Sequence, residues 1–251
     1  MPIAFSLVIP AYNEARRLPP FLSTVRSHCS REFADRYEVI VVDDGSTDGL
    51  ADEVERLSRG FPQLVCLRHA ANRGKGAAVR TGMLAAKGSL LLFADADGAA
   101  PIEEERRLRA AIEAGADVAI GSRRVAGQGM VRRRTWGRRA IGSAFAQVAR
   151  AALRLPVRDT QCGFKMFRRE AGKRLFELGQ ENGYLFDLEL LILARHLGYP
   201  VAEVPIHWSD VPGSRLRLSR ELWRIAAGLW RLRRRLITLE PDACGPGRAT
   251  D

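Results

Sequence analysis

The sequence of 251 residues contains little cysteine, and no part of it is apolar for long enough to span a membrane. Its four cysteines are scattered without a CxxC pair, which fits thiols in a reducing compartment better than disulfides or a zinc site. No basic segment precedes the apolar N-terminal run, so we expect no signal peptide. The composition, 46% hydrophobic and 27% charged, excludes a disordered or fibrous chain.

Acidic residues are scarce in the second half of the chain. Residues 1–122 carry 15 basic and 17 acidic groups, whereas residues 123–251 carry 25 and 12. The stretch 123–158 contains ten arginines and no acid. This asymmetry indicates an anionic partner for the second half, either a membrane surface or a nucleic acid. An arginine-rich proteome would explain the amount of arginine but not its segregation.

Short apolar runs alternate with helical patterns, which predicts βαβ units and a largely parallel sheet. The predicted strands cover residues 5–10, 37–42, 64–68, 89–94, 117–121 and 201–206. The predicted helices lie near 14–28, 48–59, 75–87, 103–114, 135–154, 170–178, 187–197 and 219–236. Ligands of such sheets bind beyond the carboxyl ends of the strands, so the residues that follow each strand are the candidates for a site.

Carboxylates follow three of the predicted strands, at PAYNE (10–14), at Asp44, and at Asp95 with Asp97. Crowded carboxylates repel one another and need a cation or hydrogen-bond donors. Two aspartates separated by one residue on a glycine-bounded turn can hold one hard cation, and Mg²⁺ and Mn²⁺ suit such ligands. The alternative for any single aspartate is a cap or a turn-shaping role, which we expect for Asp48.

Several segments carry a resemblance to a known family. In this order and spacing, SLVIPAYNE, VIVVDDGSTDG, NRGKGAAVRTGM and FADADG resemble the family 2 glycosyltransferases with the GT-A fold. RDTQCGFKMF, YLFDLELL and AEVPIHW are similar to the branch that includes the dolichyl-phosphate β-glucosyltransferases and bacterial polyprenyl-phosphate enzymes. The resemblance covers about residues 5–216. It implies an α/β, Rossmann-like three-layer fold with a mostly parallel central sheet and C-terminal amphipathic helices.

The resemblance implies a nucleotide-sugar site at the strand ends. It assigns donor binding to Pro10, Ala11, Tyr12, Glu14, Asp44, Lys75, Asp95 and Arg215. In this assignment Asp44 accepts the imide N–H of uracil, and Asp95 contacts the ribose or the metal. Asp97 binds the metal, Mg²⁺ or Mn²⁺, which neutralises the leaving diphosphate. Arg215 stands where the family more usually has lysine, which changes the geometry of its contact.

The resemblance also supplies two catalytic candidates, Arg123 near the reacting phosphates and Asp187 as an active-site carboxylate. Whether Asp187 orients the donor, orients the acceptor or acts as a base stays open, and a helix N-cap is its structural alternative. A lipid phosphate needs no base, because its second pKa of about 6 makes it an anionic nucleophile. It needs a cationic cradle, for which Arg138 and Arg139 are further candidates.

The C-terminal sequence predicts an amphipathic helix. Apolar residues recur every three or four positions over 218–236, arginines fill the other faces, and Trp223 and Trp230 lie near the boundary. This pattern is typical of an interfacial helix, the alternative being a helix packed on the domain with a solvated basic face. We therefore expect a catalytic domain over 1–216, a membrane-associating helix over 217–240 and a disordered tail over 241–251.

These observations favour an inverting glycosyltransferase that moves one sugar to a polyprenyl phosphate and gives a β-linked product. Glucose from UDP-glucose is the preferred donor, and GDP-mannose is the alternative. We expect the enzyme to be peripheral, on the cytoplasmic face of the membrane, and held by anionic lipid. A second hypothesis keeps the fold but uses a non-lipid hydroxyl acceptor, which would require a general base. A nucleic-acid-binding role is disfavoured, because no recognised motif or aromatic platform accompanies the arginines.

Overall fold

The computed structural model describes residues 2–123, 132–133 and 157–209. Within these ranges, strands and helices alternate along most of the chain. The elements are β1 (Phe5–Ala11), α1 (Leu18–Phe33), β2 (Tyr37–Asp43), α2 (Leu50–Ser58), β3 (Leu64–Arg68), α3 (Lys75–Ala85), β4 (Leu90–Ala94), α4 (Glu105–Glu113), β5 (Val118–Ser122), β6 (Arg132–Arg133), β7 (Phe164–Arg168), α5 (Arg169–Leu178), α6 (Phe186–His196), β8 (Val201–Pro205) and β9 (Trp208–Ser209). One turn of 3₁₀-helix, Ile102–Glu104, leads into α4.

In the part of the chain that the structure describes, seven strands form one sheet in the order β3-β2-β1-β4-β7-β5-β8. The strands pair in parallel except β7, which runs antiparallel to both β4 and β5. The mostly parallel α/β sheet predicted from the sequence is therefore confirmed. The short strands β6 and β9 pair separately.

The strand β7 was not predicted, because its sequence FKMFR is short and carries a lysine between Phe164 and Met166. Its insertion makes the central sheet mixed at one place. It also brings the loop before β7 to the carboxyl end of β4, since the two strands run in opposite directions.

The core is built on the sheet, whose strands β1, β2 and β5 are buried at every position. Strands covered on both faces need no polar alternation, which explains their continuous apolar runs. Helix α3 packs on β1 and β2, and α4 packs on β5 and β7. The parallel strands point their carboxyl ends to one edge, where the candidate site residues are expected.

Among the described helices, α1 differs most from its prediction, at both ends. A helix was expected near 14–28, but α1 begins at Leu18 and ends at Phe33. A turn forms first, because the N–H groups of Arg17 and Leu18 both bond to the Glu14 carbonyl. Prolines then occupy the start of the helix, where their missing N–H has no intrahelical partner to lose. The predicted helices at 135–154 and 219–236 lie outside the described residues.

Candidate active site at the carboxyl edge of the sheet

Hydrogen bonds join the loop after β1 to the loop after β2. The N–H of Asn13 donates to Ser46 Oγ at 2.9 Å, and the N–H of Thr47 donates to Asn13 Oδ1 at 3.0 Å. The N–H of Ala15 donates to Asp48 Oδ2 at 2.9 Å. Asp48 Oδ1 also accepts the N–H of Leu50 at 3.2 Å, two residues along the chain, which confirms the turn-shaping role expected for Asp48. The two loops form one braced surface at the edge of the sheet.

The four donor-binding candidates at the end of β1 and in the loop after it have different surroundings. Pro10 and Ala11 are buried, whereas Tyr12 is 47% exposed. Glu14 forms an ion pair with Arg17, whose Nε lies 2.6 Å from Glu14 Oε2. A ligand at this loop can therefore meet the ring of Tyr12, while the Glu14 carboxylate already has a cation beside it.

Asp44 is buried and receives several bonds from the protein. Its Oδ1 lies 2.7 Å from His69 Nδ1 and accepts the N–H of Arg73 at 2.9 Å. Its Oδ2 accepts the N–H of Gly74 at 2.8 Å. Each carboxylate oxygen offers about two acceptor positions, so one position on Oδ2 is left for a further donor. The sequence had pointed to Asp44 but not to His69, which lies 25 residues away in the chain.

Asp95 and Asp97 follow β4 and lie beside Lys75 at the start of α3. Lys75 Nζ lies 2.6 Å from Asp95 Oδ1. Burial would lower the pKa of Lys75, but the negative charges of Asp95 and Asp187 outweigh burial and raise it. Burial and the neighbouring Asp95 charge raise the pKa of Asp97, whose Oδ1 accepts the N–H of Ala99 at 3.1 Å. The two carboxylates of Asp95 and Asp97 therefore favour the binding of a further cation.

The carboxylates of Asp95 and Asp97 fit a hard divalent cation only if oxygens from outside the protein complete its ligands. Within the described residues, no group of three or more His, Cys, Asp or Glu side chains could hold a metal ion. Asp95 and Asp97 could supply two carboxylates, and the remaining ligands would be diphosphate oxygens and water. Mg²⁺ and Mn²⁺ accept such oxygen sets with few protein ligands.

The loop before β7 packs directly against Asp95. The N–H of Asp95 donates to the Gly163 carbonyl at 3.0 Å. A Cβ atom added at Gly163 would lie 2.1 Å from Asp95 Oδ2, which is closer than any real contact allows. Only glycine therefore leaves the Asp95 carboxylate in this position. The sequence showed Gly163 within a family motif but gave no sign of this contact.

Arg123 follows β5 and is held by Asp159. Its backbone N–H and Nε donate to Asp159 Oδ2 at 2.9 and 2.7 Å, and Nη2 donates to Oδ1 at 2.8 Å. Its guanidinium carbon lies 4.9 Å from the centre of the Trp208 ring. Burial would lower the pKa of Arg123, but the bonds to Asp159 raise it. Arg123 is thus a fixed cation, and Nη1 takes no part in these three bonds.

A further carboxylate, Glu203 of β8, supports this arrangement. Its Oε1 accepts the N–H of Asp159 at 2.8 Å and the hydroxyl of Ser122 at 2.7 Å. Its Oε2 accepts the N–H of Arg158 at 2.8 Å. Neither Asp159 nor Glu203 was a candidate from the sequence. Asp159 contacts Arg123, and Glu203 contacts Asp159, only in the folded chain.

Asp187 lies within the first turn of α6 and forms a buried ion pair with Lys165 of β7. The helix cap is Leu185, so the alternative of an Asp187 N-cap is wrong. Burial raises the pKa of Asp187, and the charges of Lys165 and Lys75 oppose this rise. Lys165 was not a candidate, although a lysine inside an apolar strand sequence is a signal that could have found it.

Half of the candidates in the described residues come together around Asp95. Besides its pair with Lys75, its charge acts on Asp97, Arg123 and Asp187. Arg138, Arg139, Arg215 and the segment 217–240 lie outside the described residues. Among the helices that the structure describes, none is long and apolar enough to cross a membrane.

The sequence model of glycosyl transferase family 2 matches residues 6–176. A dolichyl-phosphate beta-glucosyltransferase of Trichomonas vaginalis is 36% identical over 90% of this chain and 72% of its own length. One of Drosophila melanogaster is 36% identical over 92% of this chain and 78% of its own. The human protein of the same name is 32% identical over 90% and 77%.

Solved structures share the fold. Glucosyl-3-phosphoglycerate synthase from Mycobacterium tuberculosis, in complex with Mg²⁺ and UDP, has a TM-score of 0.67 at 21% identity and covers 95% of this chain and 80% of its own. A mannosyltransferase from Pyrobaculum calidifontis, in complex with GDP-Man and Mn²⁺, has a TM-score of 0.56 at 20% identity and covers 95% and 66%. These matches confirm the predicted GT-A architecture.

Proposed function

The chain belongs to glycosyl transferase family 2, and on that premise we propose that it transfers glucose from UDP-glucose to a polyprenyl or dolichyl phosphate. The observation that carries the proposal is the likeness, over most of both chains, to relatives named dolichyl-phosphate beta-glucosyltransferase. The site chemistry agrees with this proposal. Carboxylates that could bind a metal ion and the cations of Lys75 and Arg123, which could bind phosphates, lie around Asp95.

The bonding of Asp44 favours uracil over guanine. Three donors already occupy Asp44, which leaves one acceptor position on Oδ2. Uracil presents one imide N–H between two carbonyl groups, so one acceptor is enough. Guanine presents two adjacent donors and would use both carboxylate oxygens. This argument supports a UDP-sugar donor over the GDP-mannose alternative.

We propose that Mg²⁺ or Mn²⁺ assists the reaction, held by Asp95 and Asp97. When bound, the cation supplies Lewis-acid stabilisation of the negative charge that grows on the leaving UDP. The fixed guanidinium of Arg123 offers a second positive charge near the same place. Lys75 beside Asp95 offers a third.

The transfer is a single displacement. An oxygen of the acceptor phosphate attacks C1 of glucose, the bond between C1 and the UDP oxygen breaks, and the electron pair leaves on UDP. Attack opposite the leaving group inverts C1 and gives a β-linked lipid-phosphate sugar. The acceptor is already anionic at neutral pH, so no side chain has to remove a proton. The protein's part is to position the reactants and stabilise their charge.

We also propose that the enzyme acts as a peripheral protein on the cytoplasmic face of the membrane. The support is the sequence of 217–240, where an apolar stripe alternates with arginines. Flotation with vesicles of anionic phospholipid should carry the protein upward, and vesicles of phosphatidylcholine alone should carry far less. Equal flotation with both, or none with either, would contradict the proposal.

The function is tested by a transfer assay. Purified protein, Mg²⁺ or Mn²⁺ and a short polyprenyl phosphate are incubated with radiolabelled UDP-glucose, GDP-mannose and other nucleotide sugars in turn. The matched control acceptor is the same polyprenol without its phosphate. We expect label in the lipid fraction from UDP-glucose only, and only with the phosphorylated lipid.

The other outcomes are equally informative. Label from GDP-mannose alone would keep the mechanism and overturn the donor. Label on the free polyprenol, or on a water-soluble hydroxyl acceptor without lipid, would favour the hydroxyl-acceptor enzyme and its general base. Hydrolysis of one donor with no transfer to lipid would show that the acceptor is wrong.

A further inference from the structure

A lysine lies buried in the middle of the sheet, where lysine is rare. Lys165 belongs to the antiparallel strand β7, between β4 and β5, and its side chain is 1% exposed. A buried ammonium loses its hydration and is tolerated only when partners replace the lost water. Neither the donor-binding nor the metal-binding assignment uses this residue.

The Lys165 ammonium contacts three separate segments of the chain. It donates to the Thr160 carbonyl at 3.1 Å, in the loop that precedes β7. It forms the buried ion pair with Asp187 in the first turn of α6. It also lies 5.4 Å from the centre of the Phe93 ring of β4. One side chain therefore fixes a loop, a helix start and a strand relative to one another.

Both of the hydrogen-bonded segments carry groups of the site. The helix start carries Asp187, whose charge lies close enough to act on Lys75, the partner of Asp95. The loop carries Asp159, next to Thr160, and Asp159 holds Arg123 by three hydrogen bonds. A shift of either segment would move charges on both sides of Asp95.

We propose that Lys165 is a positioning residue of the active site, which holds Asp187 in place and fixes the loop that orients Arg123. This inference rests on the proposed glycosyl transfer, because it assigns Lys165 a part in that reaction. It differs from a purely structural role, in which Lys165 would only stabilise the fold. The two roles separate when activity and stability are measured on the same variants.

The central variant is Lys165→Met, which removes the ammonium and keeps most of the side-chain volume. We expect kcat to fall about 100-fold, because small misplacements of reacting groups cost this much. The KM for the nucleotide sugar should change less than threefold, since the loops after β1 and β2 are untouched. A structural role predicts wild-type kcat at any temperature where the variant is folded. The matched control is Lys173→Met, which removes a lysine that bonds the Leu84 carbonyl on the outside of the fold.

A second set of variants covers the case in which Lys165→Met does not fold. Lys165→Arg keeps the charge and should fold, but its wider head cannot reproduce the same contacts, so kcat should fall about tenfold. Lys165→Met/Asp187→Asn removes both charges and should regain thermal stability. Its kcat should equal that of Asp187→Asn alone, because the two residues act as one unit.

The kcat and the stability of these variants distinguish a positioning role of Lys165 from a purely structural one. A folded Lys165→Met or Lys165→Arg with wild-type kcat overturns the proposal, and so does a double variant that recovers activity with stability. The variants are assayed with whichever donor and acceptor the wild-type protein turns over. A wild-type protein that fails on UDP-glucose and lipid phosphate thus overturns the proposed function, while the Lys165 test proceeds on the substrate that it does use.

Discussion

The two halves of the sheet build their parts of the site by different means. The loops after β1 and β2 are braced mainly by backbone N–H groups that donate to side-chain oxygens, as between Asn13 and Ser46. On the other side, the site depends on buried charge pairs, Arg123 with Asp159 and Lys165 with Asp187. Asp95 lies between the two, next to Lys75 of the first half and Gly163 of the second.

On the proposed function, the difference follows from what each side would bind. A nucleoside is largely uncharged, so shape and single hydrogen bonds are enough to select it. A diphosphate and an acceptor phosphate require cations at fixed positions. A cation that is buried to fix its position must have a carboxylate partner, or it destabilises the fold. The chain from residue 123 onward therefore contains aspartates that pair with its cations, although its overall charge is strongly positive.

The largest effect is expected where the two halves meet. Asp97→Ala removes one of the two proposed metal ligands and should lower transfer about 1000-fold, since a catalytic cation stabilises the leaving charge by several kcal/mol. EDTA should abolish wild-type transfer, and Mg²⁺ or Mn²⁺ should restore it. The exposed Asp52→Asn on α2 serves as the control and should behave as wild type. Full activity of Asp97→Ala in EDTA-treated enzyme would remove the metal from the mechanism.

A smaller effect on kcat is expected from Gly163→Ala, and it would show that the two halves of the sheet depend on each other. Gly163→Ala places a Cβ atom against the Asp95 carboxylate, so that carboxylate must move. We expect kcat to fall about 10- to 100-fold and Mn²⁺ binding, followed by titration, to weaken. Gly60→Ala is the control, because a Cβ there meets open space. Unchanged Mn²⁺ binding and kcat in Gly163→Ala would mean that Asp95 does not need its present position.

The smallest effect is expected on the nucleoside side. Ser46→Ala removes the acceptor of the Asn13 N–H, a bond worth about 1 kcal/mol, which corresponds to about a fivefold rise in donor KM. The kcat should stay within twofold, because no charge near the reacting atoms moves. Ser27→Ala, on the exposed side of α1, is the control. A fall in kcat with constant KM would contradict the assignment of donor binding to the loops after β1 and β2.

The sequence was most informative about features that one continuous segment of the chain determines. The apolar runs predicted most of the strands, and they pointed to Asp44 and Asp95, which directly follow a strand, and to Asp97, two residues beyond Asp95. Helix bounds were less accurate, as α1 shows, because the turn at Glu14 and the prolines after it shift its start. The strand β7 was missed, since a lysine at its second position breaks the pattern of a buried strand.

Residues that act through a partner could not be found in this way. Asp159 lies 36 residues from Arg123, and Lys165 lies 22 residues from Asp187. No spacing in the sequence connects these pairs. His69 likewise reaches Asp44 only because β2 and β3 are neighbours in the sheet.

The sequence by itself determined the alternation of strands and helices, the family and the acidic residues at the strand ends. These properties depend on local composition, on hydrophobic period and on order along the chain. The tertiary structure alone decided which charges are paired and which stay available to substrate. The physical reason is that pairing depends on distance in space. The antiparallel β7, inserted between β4 and β5, sets the distances from Lys165 to Asp187 and from Gly163 to Asp95.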